Sequence, residues 1–152
     1  MPDDIKVLQT VSLFSRLESK QLKTILKACT ERQFEPGEYL VEQGNPGVGL
    51  FIIRDGSVQI IKTLKDGKQV KIASNGPGEV IGEMSVLDGA LRTASVKAET
   101  KVTCLVLSAW SFKSLLEAHP AMALGVLPVV VQRFRETNAA LLELSVEHEV
   151  KL

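Results

Sequence analysis

The order of helical and strand patterns along the chain predicts an α+β fold that is mainly β. Apolar residues recur at helical spacing near both ends, and between them turn pairs interrupt short β-branched runs about every eight to twelve residues. A chain of 152 residues buries about two-thirds of its unfolded surface, so the fold requires neither a metal nor a disulfide. We therefore expect one domain over 1–152, with N-terminal helices at 1–30, an antiparallel sandwich or barrel at 31–108, and C-terminal helices at 109–147.

The helical pattern before the strands has two parts. Residues 5–17 predict a short helical lead-in. Ser19 can cap the helix that follows, because a serine hydroxyl can accept a hydrogen bond from an amide of the first turn. The residues predicted to form one buried face of that helix are Leu22, Ile25, Leu26 and Cys29.

Two kinds of turn signal divide the strand region. Asp55-Gly56 and Asp66-Gly67 supply residues that tolerate positive φ, and β-branched segments flank them, which predicts two consecutive hairpins. Two Pro-Gly-Glu tripeptides, at 36–38 and 77–79, each precede a short strand pattern. They predict two similar turns at equivalent corners of a rolled sheet.

The segment after the strands predicts two helices. Ser108 can cap the first helix, Pro120 ends it, and the second is expected from about 121 to 147 with a kink or break at Pro128. Residues at alternating steps of three and four, typical of a coiled-coil seam, are Val131, Phe134, Asn138, Leu141, Ser145 and His148. A helix packed on its own sheet and a helix shared by two protomers both remain open.

Charge and hydropathy exclude several classes of protein. Lys and Arg number 18, as do Asp and Glu, so the net charge of zero argues against nucleic acid or an anionic membrane as the partner. The acidic N-terminus lacks the basic and apolar regions of a secretory signal. The longest uncharged stretch, 118–132, is too short to span a bilayer. We expect a cytoplasmic protein.

Residues typical of enzymes and metal sites are scarce. His119 and His148 both lie in helical segments, outside the predicted sheets. Cys29 and Cys104 have no metal-ligand spacing and lie in apolar surroundings, so we expect buried free thiols. A metal-dependent enzyme on a rolled sheet would need several histidines or carboxylates inside the barrel. We therefore expect no enzyme activity, no metal and no cofactor.

Segment 81–96 combines the parts of an anion pocket. A glycine is followed by one predicted helical turn, whose first amides, near Met84 and Ser85, could point at a phosphate. Arg92 could bind the same phosphate through two parallel hydrogen bonds. Glu83 would repel a phosphate unless another group needs an acceptor, and a ribose hydroxyl is such a donor. A nucleotide site and a structural Arg92–Glu83 salt bridge both fit these residues.

The same segment carries a family resemblance. Gly82-Glu83, with Arg92 ten residues after the glycine and Thr93-Ala94-Ser95-Val96 next, resembles the phosphate-binding cassette of the cyclic nucleotide-binding domains. Segments 34–38 and 51–58 are also similar to that family, and the resemblance extends over 8–144. It implies an eight-stranded antiparallel β-roll, a jelly-roll-like double-stranded β-helix, with the C-terminal helices as hinge and lid.

The resemblance also implies roles in phosphate and ribose binding. Glu83 receives the ribose 2′-hydroxyl, and Gly82, Met84 and Ser85 surround the cyclic phosphate together with Arg92. No metal or cofactor is implied beyond the ligand itself, cAMP or cGMP.

A second set of residues is implied to surround the base. Thr93 contacts phosphate or base, while Ile60 and Ile72 wall the base, although both isoleucines would equally suit an ordinary core. Thr137 and Asn138 match helix positions that reach adenine from both protomers of a dimer, and Asn138 could instead fix the helix register. Thr93 is compatible with cGMP, whereas the helix pair favours adenine, so cAMP is weakly preferred.

The resemblance implies a sensor whose partners are a cyclic nucleotide, an unknown effector protein and a second copy of the chain through the C-terminal helix. No helix-turn-helix follows that helix, so we expect no DNA binding, and no membrane contact is implied. Two alternatives are an interaction module with a degenerate pocket and the regulatory part of a longer transcription factor, channel or kinase.

Overall fold

The structure is a computed structural model that describes residues 2–47, 49–82, 89 and 91–151. In these ranges it has eight strands in two four-stranded antiparallel sheets, with helices at both ends. The predicted α+β, mainly β class is confirmed. The strands are β1 (Thr30–Phe34), β2 (Tyr39–Val41), β3 (Gly49–Asp55), β4 (Val58–Thr63), β5 (Gln69–Asn75), β6 (Val80–Ile81), β7 (Ser95–Ala98) and β8 (Val102–Ser108). The helices are α1 (Pro2–Thr10), a 3-10 segment (Ser12–Phe14), α2 (Ser19–Ala28), α3 (Ala109–Ala118) and α4 (Pro120–Lys151).

The two sheets explain why β3 is a continuous apolar run. One sheet has the order β1-β8-β3-β6 and the other β2-β7-β4-β5, so β3 is covered on both faces. Leu50 and Ile52 belong to the core between the first sheet and the helices, whereas Phe51 and Ile53 belong to the core between the sheets. A strand buried on both faces cannot alternate polar with apolar residues.

Only one of the two predicted Asp-Gly hairpins is present. Asp66-Gly67 joins the paired strands β4 and β5, and Gly67 has φ of +86°. The prediction for Asp55-Gly56 was wrong, because this turn carries the chain from β3 in one sheet to β4 in the other. Gly56 is needed there for space as well as for φ: a Cβ would lie 2.3 Å from the Lys101 carbonyl oxygen.

The two Pro-Gly-Glu turns are equivalent, as predicted. Gly37 donates its amide to Ala98 and precedes β2, and Gly78 donates to Ile53 and precedes β6, each at 2.8 Å. In each turn the glutamate carboxylate accepts the amide three residues earlier, at 2.7 Å for Glu38 and 3.0 Å for Glu79. The turns therefore occupy matching positions, one in each sheet.

The helices differ from the sequence prediction in three details. The lead-in predicted over 5–17 is divided between α1 (Pro2–Thr10) and the 3-10 segment (Ser12–Phe14). Ser19 is not the cap of α2 but its first residue; Glu18 is the cap, and its amide donates to Oε1 of Gln21 at 2.9 Å in a capping box. Of the kink or break predicted at Pro128, the break is absent, since α4 runs through this residue. The helical turns before Pro128 carry the buried side chains of Met122 and Val126. Their packing in the core offsets the hydrogen bond that is lost because proline has no amide N–H.

Ser108 caps α3 as predicted, its hydroxyl accepting the Ser111 amide at 3.0 Å. Among the described residues, no single helix is both long and apolar enough to cross a bilayer; α3 and α4 pass that test only as a pair, and they bend by 115° at their junction.

The distal part of α4 does not lie on the sheets. The helix packs mainly against α3 and the 3-10 segment. Three of the predicted seam residues are largely exposed: Val131, Phe134 and Leu141. The first turns of α4 do pack in the core beside the first sheet, through Met122 and Val126, whereas these seam residues do not. A helix shared by two protomers stays a prediction.

Candidate functional site

Arg92 is fixed at its backbone by the turn that precedes β3. Its amide donates to the Asn45 carbonyl at 2.8 Å, and its carbonyl accepts the Gly44 amide at the same distance. Leu91 forms an isolated antiparallel bridge with Pro46 next to it. Together these bonds anchor the arginine to the 44–46 turn, more than forty residues earlier in the chain.

The Arg92 side chain is buried and hydrogen-bonded to two glycine carbonyls. The residue is 5% exposed. Nη1 donates to the Gly82 carbonyl at 2.8 Å, and Nη2 donates to the Gly49 carbonyl. Hydrogen bonds from a charged donor are stronger than neutral ones, so these carbonyls hold the guanidinium in one orientation.

Gly82 is required by the arginine itself. Its φ of +87° disfavours other residues, and a Cβ there would lie 1.9 Å from Nη1 of Arg92. The sequence alone predicts that this glycine lets a ligand approach the backbone. In the structure, the guanidinium of Arg92 occupies that space.

A cavity of about 210 Å³ opens beside Arg92. Four predicted site residues come together there: Gly82, Arg92, Thr93 and Ile60. Three further lining residues fall within the predicted segment 81–96: Ile81, Ala94 and Val96. The lining residues that sequence reasoning missed are Val41, Asn75 and Val80. Most of these are apolar strand residues, which no motif separates from ordinary core, so the pattern of β-branched strands was the only available signal.

The cavity lining combines apolar side chains with the cationic side chain of Arg92. Ile60 pairs with Val96 across β4 and β7, and both side chains line the cavity. Lys62, two residues after Ile60, donates its ammonium to the Thr93 carbonyl at 2.7 Å, a contact that sequence reasoning also missed. A small molecule with an apolar ring and an anionic group would complement this arrangement.

Three predicted site residues do not line the cavity. Ile72 lies on β5 and is 57% exposed. It is the extra residue of a bulge, since its neighbours Lys71 and Ala73 pair with consecutive residues of β4. Neither core packing nor the cavity therefore accounts for Ile72 within one chain. Thr137 and Asn138 are exposed on α4, and the Thr137 hydroxyl donates to the carbonyl four residues earlier.

Three further predicted residues, Glu83, Met84 and Ser85, lie outside the described residues.

Neither a metal centre nor a reactive thiol is evident in the described ranges. No group of three or more His, Cys, Asp or Glu side chains is placed there to hold a metal ion. Burial raises the pKa of both thiols to about 12, with Asp4 adding to the effect at Cys29, so neither Cys29 nor Cys104 provides a thiolate nucleophile near neutral pH.

The family model that matches this chain and its curated relatives point to the same kind of domain. The family model of the cyclic nucleotide-binding domain matches residues 31–119. The chain is 30% identical over 135 residues to the cyclic AMP receptor protein of Thermus thermophilus. The aligned region covers 89% of this chain and 62% of that protein. The chain spans between 20% and 62% of the length of the first curated relatives that it matches.

Solved structures share the fold. The N-terminal domain of a transcriptional regulator from Streptomyces coelicolor A3(2) has a TM-score of 0.80 and 34% identity, covering 88% of this chain and 96% of that one. The regulatory domain of Toxoplasma gondii protein kinase A, solved with cAMP, has a TM-score of 0.72 and 27% identity over 75% of this chain and 43% of that one. With a family model covering more than half of its length, this chain belongs to the cyclic nucleotide-binding domain family.

Proposed function

We propose that the chain binds a cyclic nucleotide, with cAMP favoured over cGMP, and transmits binding through its C-terminal helices. The observation that carries the proposal is the placement of Arg92, buried at 5% exposure against a cavity of about 210 Å³. The guanidinium carries a fixed positive charge and planar N–H donors, so in the lining of an open cavity it suits an anionic ligand such as a phosphate.

The phosphate and ribose are assigned to the cassette. Arg92 binds the cyclic phosphate, next to the backbone of Gly82. By resemblance, Met84 and Ser85 supply amides to the phosphate and Glu83 accepts the ribose 2′-hydroxyl. Lys62, bonded to the Thr93 carbonyl, adds positive charge near that end of the cavity.

The base is assigned to the apolar wall. Ile60 and Val96 offer apolar surface for the base. Thr93 also lines the cavity, and by resemblance it contacts the phosphate or the base. Ile72 can join this wall only if a lid covers its exposed side chain, since it does not line the cavity of the single chain.

A homodimer through α4 supplies such a lid. The helix presents Phe134 and Leu141 to solvent at 66% and 61% exposure, so a second copy can bury them. Thr137 and Asn138 lie on the same helix, where by resemblance they reach adenine from both protomers. This favours cAMP, and the named ligand of the Toxoplasma and Thermus relatives agrees with it.

Transmission follows from two arrangements of the terminal helices. The nucleotide engages the cassette, and α3 and α4 move to cover the base or to repack against an effector protein. A ligand shifts such an equilibrium only by its difference in affinity for the two arrangements.

The experiment is a calorimetric titration of the full chain with cAMP, cGMP and 5′-AMP. We expect both cyclic nucleotides to bind, cAMP more tightly. The open 5′-AMP should bind at least tenfold more weakly, a difference of about 1.4 kcal/mol, because its phosphate is not fixed to the ribose ring. Absence of heat with both cyclic nucleotides would refute the proposal.

A further inference from the structure

We propose that Gly49 is a positioning residue for Arg92 and connects the anion site to the first turn of α3. The inference rests on the proposed function, since the signal that it describes begins when the nucleotide phosphate meets Arg92. The chain of contacts runs from Arg92 through Gly49 to Ser108.

The first step is the bond between Arg92 and Gly49. Nη2 of Arg92 donates to the Gly49 carbonyl, and this bond is fully buried. A second bond, from Nη1 to Gly82, fixes the guanidinium plane. A displacement of the guanidinium by a bound phosphate therefore pulls on the backbone at the first residue of β3.

The second step is the close packing of Gly49 against the end of β8. Gly49 pairs with Ser108 across the two strands. A Cβ at Gly49 would lie 2.9 Å from the Leu107 carbonyl oxygen and 3.3 Å from the Ser108 Cα. The two backbones therefore touch directly, and side chains cannot absorb a small displacement between them.

The third step is the start of α3. Ser108 ends β8 and is also the N-cap of α3, accepting the Ser111 amide at 3.0 Å. On either side of this junction, Leu50 and Leu107 are fully buried in one tightly packed core. Packed cores respond to displacement as rigid bodies, so a shift at Gly49 reaches the cap of the helix.

The chain carries its own reporter of this movement. Trp110 is its single tryptophan, lies two residues after Ser108 and is 78% exposed. Its emission therefore reports on the first turn of α3.

The test combines calorimetry, Trp110 emission and hydrogen exchange on the full chain with cAMP. Gly49→Ala is the probe, because its new methyl group must displace the backbone of 107–108. Ile52→Val is the matched control, because Ile52 lies on the same strand and loses one core methylene without altering the Gly49 carbonyl. Circular dichroism and a thermal melt confirm that both variants are folded.

In the wild type, cAMP should change Trp110 emission with a half-saturation equal to the calorimetric Kd. Ile52→Val should reproduce both values within twofold. Gly49→Ala should raise the Kd at least threefold and lower the emission change at saturation by at least half.

Two results would overturn the inference and leave the proposed function intact. One is a folded Gly49→Ala variant that matches Ile52→Val in Kd and emission. The other is a wild type that binds cAMP with no change in hydrogen exchange over 107–112, a measurement that decides the matter even if Gly49→Ala does not fold. A wild type that binds no cyclic nucleotide would remove both proposals together.

Discussion

Gly82 and Arg92 are mutually dependent: Nη1 of the arginine lies 1.9 Å from the point where a side chain at position 82 would begin. This contact sets the local backbone and the orientation of the guanidinium at once. Substitution of Gly82 would therefore cause both backbone strain and a steric clash, whereas substitution of Gly67, which has a similar φ and no close neighbour, would cause backbone strain alone.

Gly82→Ala should therefore be more damaging than the same change at Gly67. Both glycines have φ near +86°, so both substitutions incur about 1–2 kcal/mol of backbone strain. Of the two positions, only Gly82 also requires a partly buried charged hydrogen bond to yield, which adds about 2 kcal/mol. A Cβ at Gly67 has no atom within 4 Å. Urea denaturation of the two variants measures the difference, and equal losses of stability would contradict the contact.

The two serines that were predicted as helix caps should respond differently to alanine. Ser108→Ala should lower the free energy of unfolding by about 1 kcal/mol, because the Ser108 hydroxyl accepts the Ser111 amide. Ser19→Ala should change it by less than about 0.5 kcal/mol, since Glu18 caps α2. Thermal melts compare the variants, and a larger loss at Ser19 would show that the cap is misassigned.

The thiols should be unreactive in the folded protein. The pKa of Cys29 and Cys104 is raised to about 12, chiefly by burial, so about one thiol in ten thousand is ionised at pH 8. A thiol-specific chromogenic reagent should label both cysteines slowly in the native state and rapidly in denaturant. Rapid labelling of the native chain at pH 8 would show that the thiols are accessible and ionised.

The same shifts make stability depend on pH. Because the thiol pKa is higher in the folded state, the thiols contribute fully to the free energy of unfolding below about pH 9, where they are protonated in both states. This stabilising contribution decreases as pH rises from 9 towards 12, since the thiols of the unfolded chain then ionise first.

The exposed seam of α4 should govern oligomeric state. Phe134→Asp should shift the chain towards monomer, because the charge would have to be buried in a shared helix interface. Val146→Asp is the control: Val146 is also half-exposed, but it lies about a third of a turn away from the Phe134–Leu141 line. Sedimentation velocity decides, and identical profiles for the wild type and both variants would exclude the shared helix.

Local chemistry predicted some turns and failed at others for a physical reason. Asp66-Gly67 closes a hairpin because β4 and β5 are neighbours in one sheet. Asp55-Gly56 has the same residues, but β3 instead pairs with β8, which lies almost fifty residues further along the chain. A two-residue signal fixes φ at the turn and leaves the choice of partner strand to tertiary packing.

The candidate site divides in the same way. Charge and spacing within segment 81–96 singled out Gly82 and Arg92 as candidates, because a glycine and an arginine carry distinctive chemistry, and both residues line the cavity. The Gly49 carbonyl could not be identified, since a backbone acceptor 43 residues away leaves no trace in the sequence. Apolar lining residues such as Val41 and Val80 were missed because the same residues also build cores.

The most direct test of the central claim is a calorimetric titration of cAMP into Arg92→Ala beside Arg16→Ala, an exposed arginine outside the cavity lining. We expect loss of Arg92 to weaken binding at least tenfold, about 1.4 kcal/mol, while loss of Arg16 leaves the Kd within twofold of wild type. An unchanged Kd in a folded Arg92→Ala variant would contradict it.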